Sequence, residues 1–149
     1  MESRGELRID PGQLIGEAFA GEIELVVPYT GLELTRALLQ LTQQLSAGLQ
    51  ARIQLVAVHT VPYPGAFRCP TAAHAFLVDQ LVELAGECTL PVSPQVVLAR
   101  SRDEGFRYAL KAESTILVGT HRHFWRTQEE QLARMLVADG HKVALLHID

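Results

Sequence analysis

The sequence is short of the residues that staple, stretch or strongly charge a chain. Its two cysteines, Cys69 and Cys88, flank a segment expected to be helical. At 1.5 Å rise per residue they stand roughly 25 Å apart, too far to pair, which suits a reducing compartment. No stretch approaches the twenty or so apolar residues of a membrane helix. The opening MESRGELRID is acidic and polar, unlike the basic and then apolar start of a secretory signal. The expectation is a soluble, cytoplasmic protein with no direct membrane insertion. Cationic excess is missing too. A formal net charge of −4 leaves no field to hold a polyanion, which argues against nucleic acid as a partner. Aromatic residues make up 6% of the chain, so the core has to be built from aliphatic side chains.

Catalytic signatures are scarce in the same way. There is no P-loop, no G-x-G-x-x-G, no nucleophile elbow and no pair of zinc knuckles. Ser101 is better read as a helix cap than as a nucleophile, because Glu104 follows at capping-box spacing. His59 has no nucleophile signature beside it and reads as a structural, hydrogen-bonded histidine. His121 and His123 are separated by one residue, yet no cysteine or third fixed ligand accompanies them, so a metal site is not expected. An enzyme is the weaker expectation.

What the 149 residues do contain is enough chain for one domain, whose core can bury roughly 70% of the unfolded surface. Residues 1–20 form an arm in which Asp10-Pro11 starts a short helix with Leu14, Ile15, Ala18 and Phe19 on one face. That face either packs on the domain or docks a partner. The domain spans residues 21–149. Ile23 to Pro28 is a compact apolar strand, followed by a helix with Leu34, Leu38, Leu41 and Leu45 on one side. Ile53 to His59 is a second strand, apolar at nearly every position. Thr71 caps a helix running to about Glu87, with Phe76, Leu77, Leu81 and Leu84 inward. The third strand, Gln95 to Ala99, follows Pro91 and Pro94 and therefore belongs at a sheet edge, since proline cannot donate to a ladder.

A helix carrying Phe106, Ala109 and Leu110 follows Ser101. The buried strand Ile116-Leu117-Val118 comes next and exits at Gly119 into Thr120, His121, Arg122, His123, Phe124, Trp125 and Arg126. A helix from Gln128 to Ala138 places Leu132, Met135 and Leu136 inward, and Lys142 to Ile148 closes the chain as a fifth strand. Five strands alternating with four helices predict an α/β fold: a parallel sheet with right-handed crossovers and helices on both faces, three layers in all. Ligands in such sheets lie beyond the carboxyl ends of the strands, where strand order reverses. That directs attention to the loops after Pro28 and after Gly119. The last strand is apolar, and if it lies at an edge, pairing with its own copy would cover it.

At the ends of these strands stand Val27-Pro28 with Gly31 and Glu33, Val58-His59 running into Val61-Pro62, and Val118-Gly119-Thr120-His121. In this order and at these boundaries they make the chain, from about Ile23 to Ile148, similar to the universal stress proteins. The resemblance implies a sheet of order 3-2-1-4-5 and, in many members, a homodimer through the last strand, here Val143 to Ile148. It also implies a division between members that bind ATP and members that do not, and an association of some with membrane transporters. In the binding type, an aspartate two residues after the first-strand proline meets the adenine, and a glycine-rich segment after strand four cradles the phosphates.

Carried over by position, Pro28 matches that proline, but Thr30 stands in place of the aspartate. Gly119 matches the first glycine, Arg122 replaces the second, and Glu129 and Glu130 fall near the final glycine and its hydroxyl neighbour. An arginine side chain fills the space that a phosphate-wrapping loop leaves open, and glutamates at a helix start oppose a triphosphate. The expectation is a non-catalytic regulatory or partner-binding module with no cofactor. A sensor holding an adenine nucleotide such as ATP, or another anion, is the alternative, and slow nucleotide hydrolysis is a third. The candidate cleft comprises Pro28, Tyr29, Thr30, Thr60, Val118, Gly119, Thr120, His121, Arg122 and Arg126. Two readings of its cationic loop stay open. Its arginines recruit a different anion or an acidic partner, or Phe124 and Trp125 pack over the cleft while Arg122 pairs with Glu129 or Glu130.

Overall fold

A computed structural model describes residues 23–61, 72–121 and 128–148. The expected N-terminal helix, the Thr71 cap, Cys69, Arg122, His123, Phe124, Trp125 and Arg126 lie outside the described residues. Five strands, β1 (Ile23–Pro28), β2 (Ala51–Thr60), β3 (Val92–Ala99), β4 (Thr115–His121) and β5 (Lys142–Ile148), form one parallel sheet of order β3-β2-β1-β4-β5. Between them run α1 (Leu32–Leu45), α2 (Ala72–Gly86), α3 (Arg102–Ala109) and α4 (Gln128–Ala138).

The central strands are buried on both faces, which is why Leu25, Val26 and Val27 in β1 and Ile116, Leu117 and Val118 in β4 are all apolar. Side chains alternate between two cores. Leu25, Val27, Leu55 and Leu117 meet α1 and α2 through Leu38, Leu39, Leu81 and Leu84. Val26, Val56, Ile116 and Val118 meet α3 and α4 through Phe106, Leu132 and Leu136. The polar side chains on the buried side of α1 are satisfied locally: Thr42 Oγ1 donates to Leu38 O at 2.7 Å and Ser46 Oγ to Thr42 O at 2.7 Å.

One inward assignment fails. Phe76 is 64% exposed. The inner line of α2 runs through Leu77, Leu81 and Leu84, four and three residues apart, and Phe76 lies about 100° of helix rotation from Leu77. Leu41 and Leu45 of α1 are half-buried at the flank, while Leu39, one position round, is fully buried.

The two outer strands are β3 and β5, and backbone hydrogen bonds fix which of their groups face outward. Ile53 N–H donates to Pro91 O at 2.9 Å and Val61 N–H to Ala99 O at 2.8 Å, with an unbroken register between β2 and β3. Odd-numbered residues of β3 therefore face β2, and Val92, Pro94, Val96 and Leu98 face the opposite side, where no strand among the described residues pairs. Lys142 N–H donates to Ser114 O at 3.0 Å, so even-numbered residues of β5 face β4 and Val143, Leu145 and His147 face the other edge. The strand β3 begins three residues earlier than expected because Pro94 sits where its missing N–H costs the ladder nothing.

On the far side of α1, Arg36 makes a two-pronged contact with Glu87, Nε to Oε1 at 3.0 Å and Nη2 to Oε2 at 3.1 Å, and also reaches Glu33 at 3.3 Å. The hydrogen bond from Arg36 holds the Glu87 carboxyl below its ordinary range. A group with a depressed folded-state pKa stabilises the fold above its unfolded pKa of about 4.3 and loses that contribution as pH falls through the folded value. Glu87→Gln should therefore flatten the acid side of the stability curve between about pH 5 and pH 3 while changing little below it. Melting curves of both proteins across that range check this; parallel curves would show the pair to be idle.

Candidate functional site

The strand order reverses between β1 and β4. Strand β1 is registered with β2 over six pairs, but with β4 at Val26↔Ile116. Counting on from that pair sets Pro28 level with Val118 and Thr30 with Thr120, at the point where strand order reverses and a crevice is expected.

The turn into α1 closes one wall. Gly31 has φ +121° and ψ 152°, a conformation open in practice to glycine alone, and its carbonyl accepts from Thr35 N–H at 3.0 Å. Thr35, fully buried, returns its Oγ1 to Thr30 N–H at 3.0 Å. The backbone N–H of Thr30 is thus already committed. Its own Oγ1 is buried and finds no hydrogen-bond partner among the described residues. Pro28 is buried behind it. Tyr29 donates its hydroxyl to Gln80 Oε1 at 2.8 Å, tying the end of β1 to α2, and burial pushes the phenol above its ordinary range.

Across the crevice, Val118, Gly119 and Thr120 are buried. A Cβ on Gly119 would stand 3.4 Å from Leu38 Cβ and 3.4 Å from Ile148 Cδ1, so α1 and β5 cover that position at ordinary contact distance. His121 turns toward β5, with Nδ1 3.3 Å from Ile148 O. Thr60, at the end of β2, is exposed, and Val61 beside it is held by Arg100, whose Nη1 donates to Val61 O at 3.1 Å. The structure brings Pro28, Tyr29, Thr30, Val118, Gly119, Thr120 and His121 to one end of the sheet. Thr60 stands at the same end, one strand further out.

On the α3 and α4 side, the same end of the sheet carries a groove of about 380 Å³ lined by Ser101, Arg102, Asp103, Gln128 and Gln131. Two helices begin here. Ser101 caps α3, its Oγ accepting Glu104 N–H at 3.2 Å as the capping-box spacing predicts. Arg102 lies between the two helix starts. Its Nη1 donates to Gln128 O at 3.3 Å, and its Nε and Nη2 lie 3.4 Å from Asp103 Oδ1. Asp103 and Glu104 occupy the first turn of α3, and Glu129 and Glu130 that of α4. Four carboxylates therefore already stand at the two positive helix ends.

Other expected roles resolve as follows. The His59 ring meets that of His74 edge-on, centroids 5.7 Å apart. His141 Nδ1 accepts Ser114 N–H at 3.0 Å and so fixes the turn into β4. Cys88 is half-buried, and desolvation, then the Glu87 carboxylate, push its thiol up, which leaves it poorly nucleophilic at neutral pH. Among the described residues no three metal-ligating side chains cluster, and no helix is long and apolar enough to cross a membrane.

Sequence reasoning missed Thr35, Gln80 and the Arg102–Asp103 pair. Thr35 carried a signal, a polar residue at helical spacing on the buried side of an apolar stripe. Gln80 carried none, because its partner lies 51 residues away, and Arg102 carried none, because adjacency to Asp103 does not itself imply pairing and its other partner is the distant backbone carbonyl of Gln128. No protein-family model matches the chain, and no curated protein matches it.

Proposed function

We propose that this chain is a universal-stress-protein-like module that is non-catalytic and cytoplasmic, acts by binding a protein partner, and pairs with a second copy of itself through β5. It does not hold ATP in that family's usual manner. The observation that carries the last point is the charge at the nucleotide end of the sheet. Two helix starts that would attract phosphate are filled by Asp103, Glu104, Glu129 and Glu130, and Arg102 between them is bound to Asp103. Thr30, in place of an aspartate, has its N–H bound to Thr35. Loss of two charge-assisted hydrogen bonds at about 1.5 to 3 kcal/mol each lowers affinity by roughly two to four decades. Partner binding, to a membrane transporter or another regulated protein, is what remains for such a domain. The acidic balance of the chain argues against nucleic acid.

Calorimetric titration with Mg-ATP should give no dissociation constant in the low micromolar range; finding one would overturn this reading. A second reading, a small-molecule sensor, is favoured by the Thr30 hydroxyl, which has no partner among the described residues, since a buried hydroxyl left so costs about 1–3 kcal/mol and a ligand atom would satisfy it. Thermal-shift screening separates the two. A ligand at a hundred times its dissociation constant stabilises by about 2.7 kcal/mol, so a shift without turnover would favour the sensor, turnover would favour an enzyme, and no shift the partner-binding module.

A further inference from the structure

The two edges of the sheet offer different things to another strand. At β5, Val143, Leu145 and His147 each present both N–H and C=O outward. Set antiparallel about Leu145, two copies place Val143 opposite His147 and form roughly six backbone hydrogen bonds. At β3 the outward positions are Val92, Pro94, Val96 and Leu98, and the second of these has no N–H to give.

Edge strands are kept from pairing by charged residues, bulges, shortness or proline. Strand β3 has eight residues and no charged one, VSPQVVLA, and its register with β2 runs without a bulge from Val92 to Ala99. The groove beside it, about 480 Å³, is lined by His74, Gln95, Val96, Val97, Leu98 and Tyr108, and Tyr108 is 83% exposed. Without Pro94 the run would be uncharged and free of proline, with Val92, Val96 and Leu98 at its outward-facing positions, which suits an edge that pairs. Of the devices carried by the strand itself, the proline is the one present, and the hydrogen-bond parity puts it on the outward side.

We infer that Pro94 is a guard on the β3 edge that holds assembly at a closed pair. A sheet with both edges open would pair at each and extend without end, because β3 and β5 lie at opposite ends of the strand order and two-fold axes at opposite edges of one sheet do not meet to close a ring. The closure, though not the guard itself, rests on the β5 pairing proposed above.

Four full-length proteins separate the two claims by light scattering at tens of micromolar: wild type, Pro94→Thr, His147→Pro and the double variant. His147→Pro places on the outward side of β5 the same lesion that Pro94 places on β3. Wild type should have twice the chain mass and His147→Pro the mass of one chain. Pro94→Thr should form large polydisperse species, and the double variant should return to dimers, now through β3. If wild type and His147→Pro are both monomers while Pro94→Thr dimerises, the guard stands and the β5 pairing falls. A Pro94→Thr protein with wild-type circular dichroism and wild-type mass would overturn the guard. Pro94→Ala restores the same N–H without a β-branched side chain and covers the case in which threonine disturbs the strand. If both variants lose their secondary structure, Pro94 serves the folding of β3, and the inference is wrong.

Discussion

Gly105→Ala should destabilise the protein by about 1–3 kcal/mol, although alanine is the better helix former. A Cβ at this position would stand 2.5 Å and 2.6 Å from the two methyl groups of Val58 and 3.1 Å from Ala99 Cβ. Valine has one strongly preferred rotamer and two methyls in the way, so rotation moves one out of contact only by driving the other in. Helix α3 has to rise from β2 and β3, and Phe106 beside Gly105, now 1% exposed, would rise with it. The gain in helix propensity, about 1 kcal/mol, offsets only part of this. Urea denaturation measures the loss, and Val58→Ala in the same background should recover part of it by removing both methyls. Gly119→Ala makes the contrast. Its new Cβ meets Leu38 and Ile148 at 3.4 Å, ordinary contact, so stability should hold within about 0.5 kcal/mol. Packing is therefore expected to tolerate a side chain at Gly119 and not at Gly105, which no sequence motif marked.

That contrast shows where legibility in the sequence ends. The strands Ile23–Pro28 and Lys142–Ile148 were readable to the residue, because apolar runs were bounded by glycine, proline or charge. The alternation of strand and helix gave the parallel sheet, and Pro94 gave the edge position of β3. The start of β3 was not readable, since whether a proline's missing N–H faces a neighbour or solvent is a matter of register with β2. The inward face of α2 was ambiguous for a different reason: Ala72–Gly86 is apolar nearly all round, so its period points in no single direction and Phe76 looked as buried as Leu77. At the candidate site, backbone placement was legible and side-chain partnership was not. Pro28, Thr30 and Gly119 fell where the topology puts them, but the Thr30–Thr35 and Tyr29–Gln80 bonds join residues whose pairing only the folded chain decides.

Leu38→Ala should cost more than any substitution at the cleft itself, about 2–5 kcal/mol. Leu38 is fully buried on α1, and the fold leaves it facing a position with no side chain, Gly119 of β4. Its isobutyl group, with Ile148 of β5 beside it, therefore fills the space beneath the strand end. Truncation opens a cavity bounded on the sheet side by rigid main chain, and a central parallel strand cannot move inward to close it without breaking its ladder to β5. With a lowering of about 2–4 °C per kcal/mol expected for a chain of this size, the melting temperature should fall by roughly 4–20 °C. A loss under about 1 kcal/mol would mean that α1 is not seated on β4 as described. The glycine supplies the internal control. A Cβ at 119 would lie 3.5 Å from Leu38 Cδ2 and point into the space that atom vacates, so Gly119→Ala, nearly neutral by itself, should recover a measurable fraction of the loss in the Leu38→Ala background. Such coupling would locate the floor of the crevice at the α1–β4 contact, independently of any ligand.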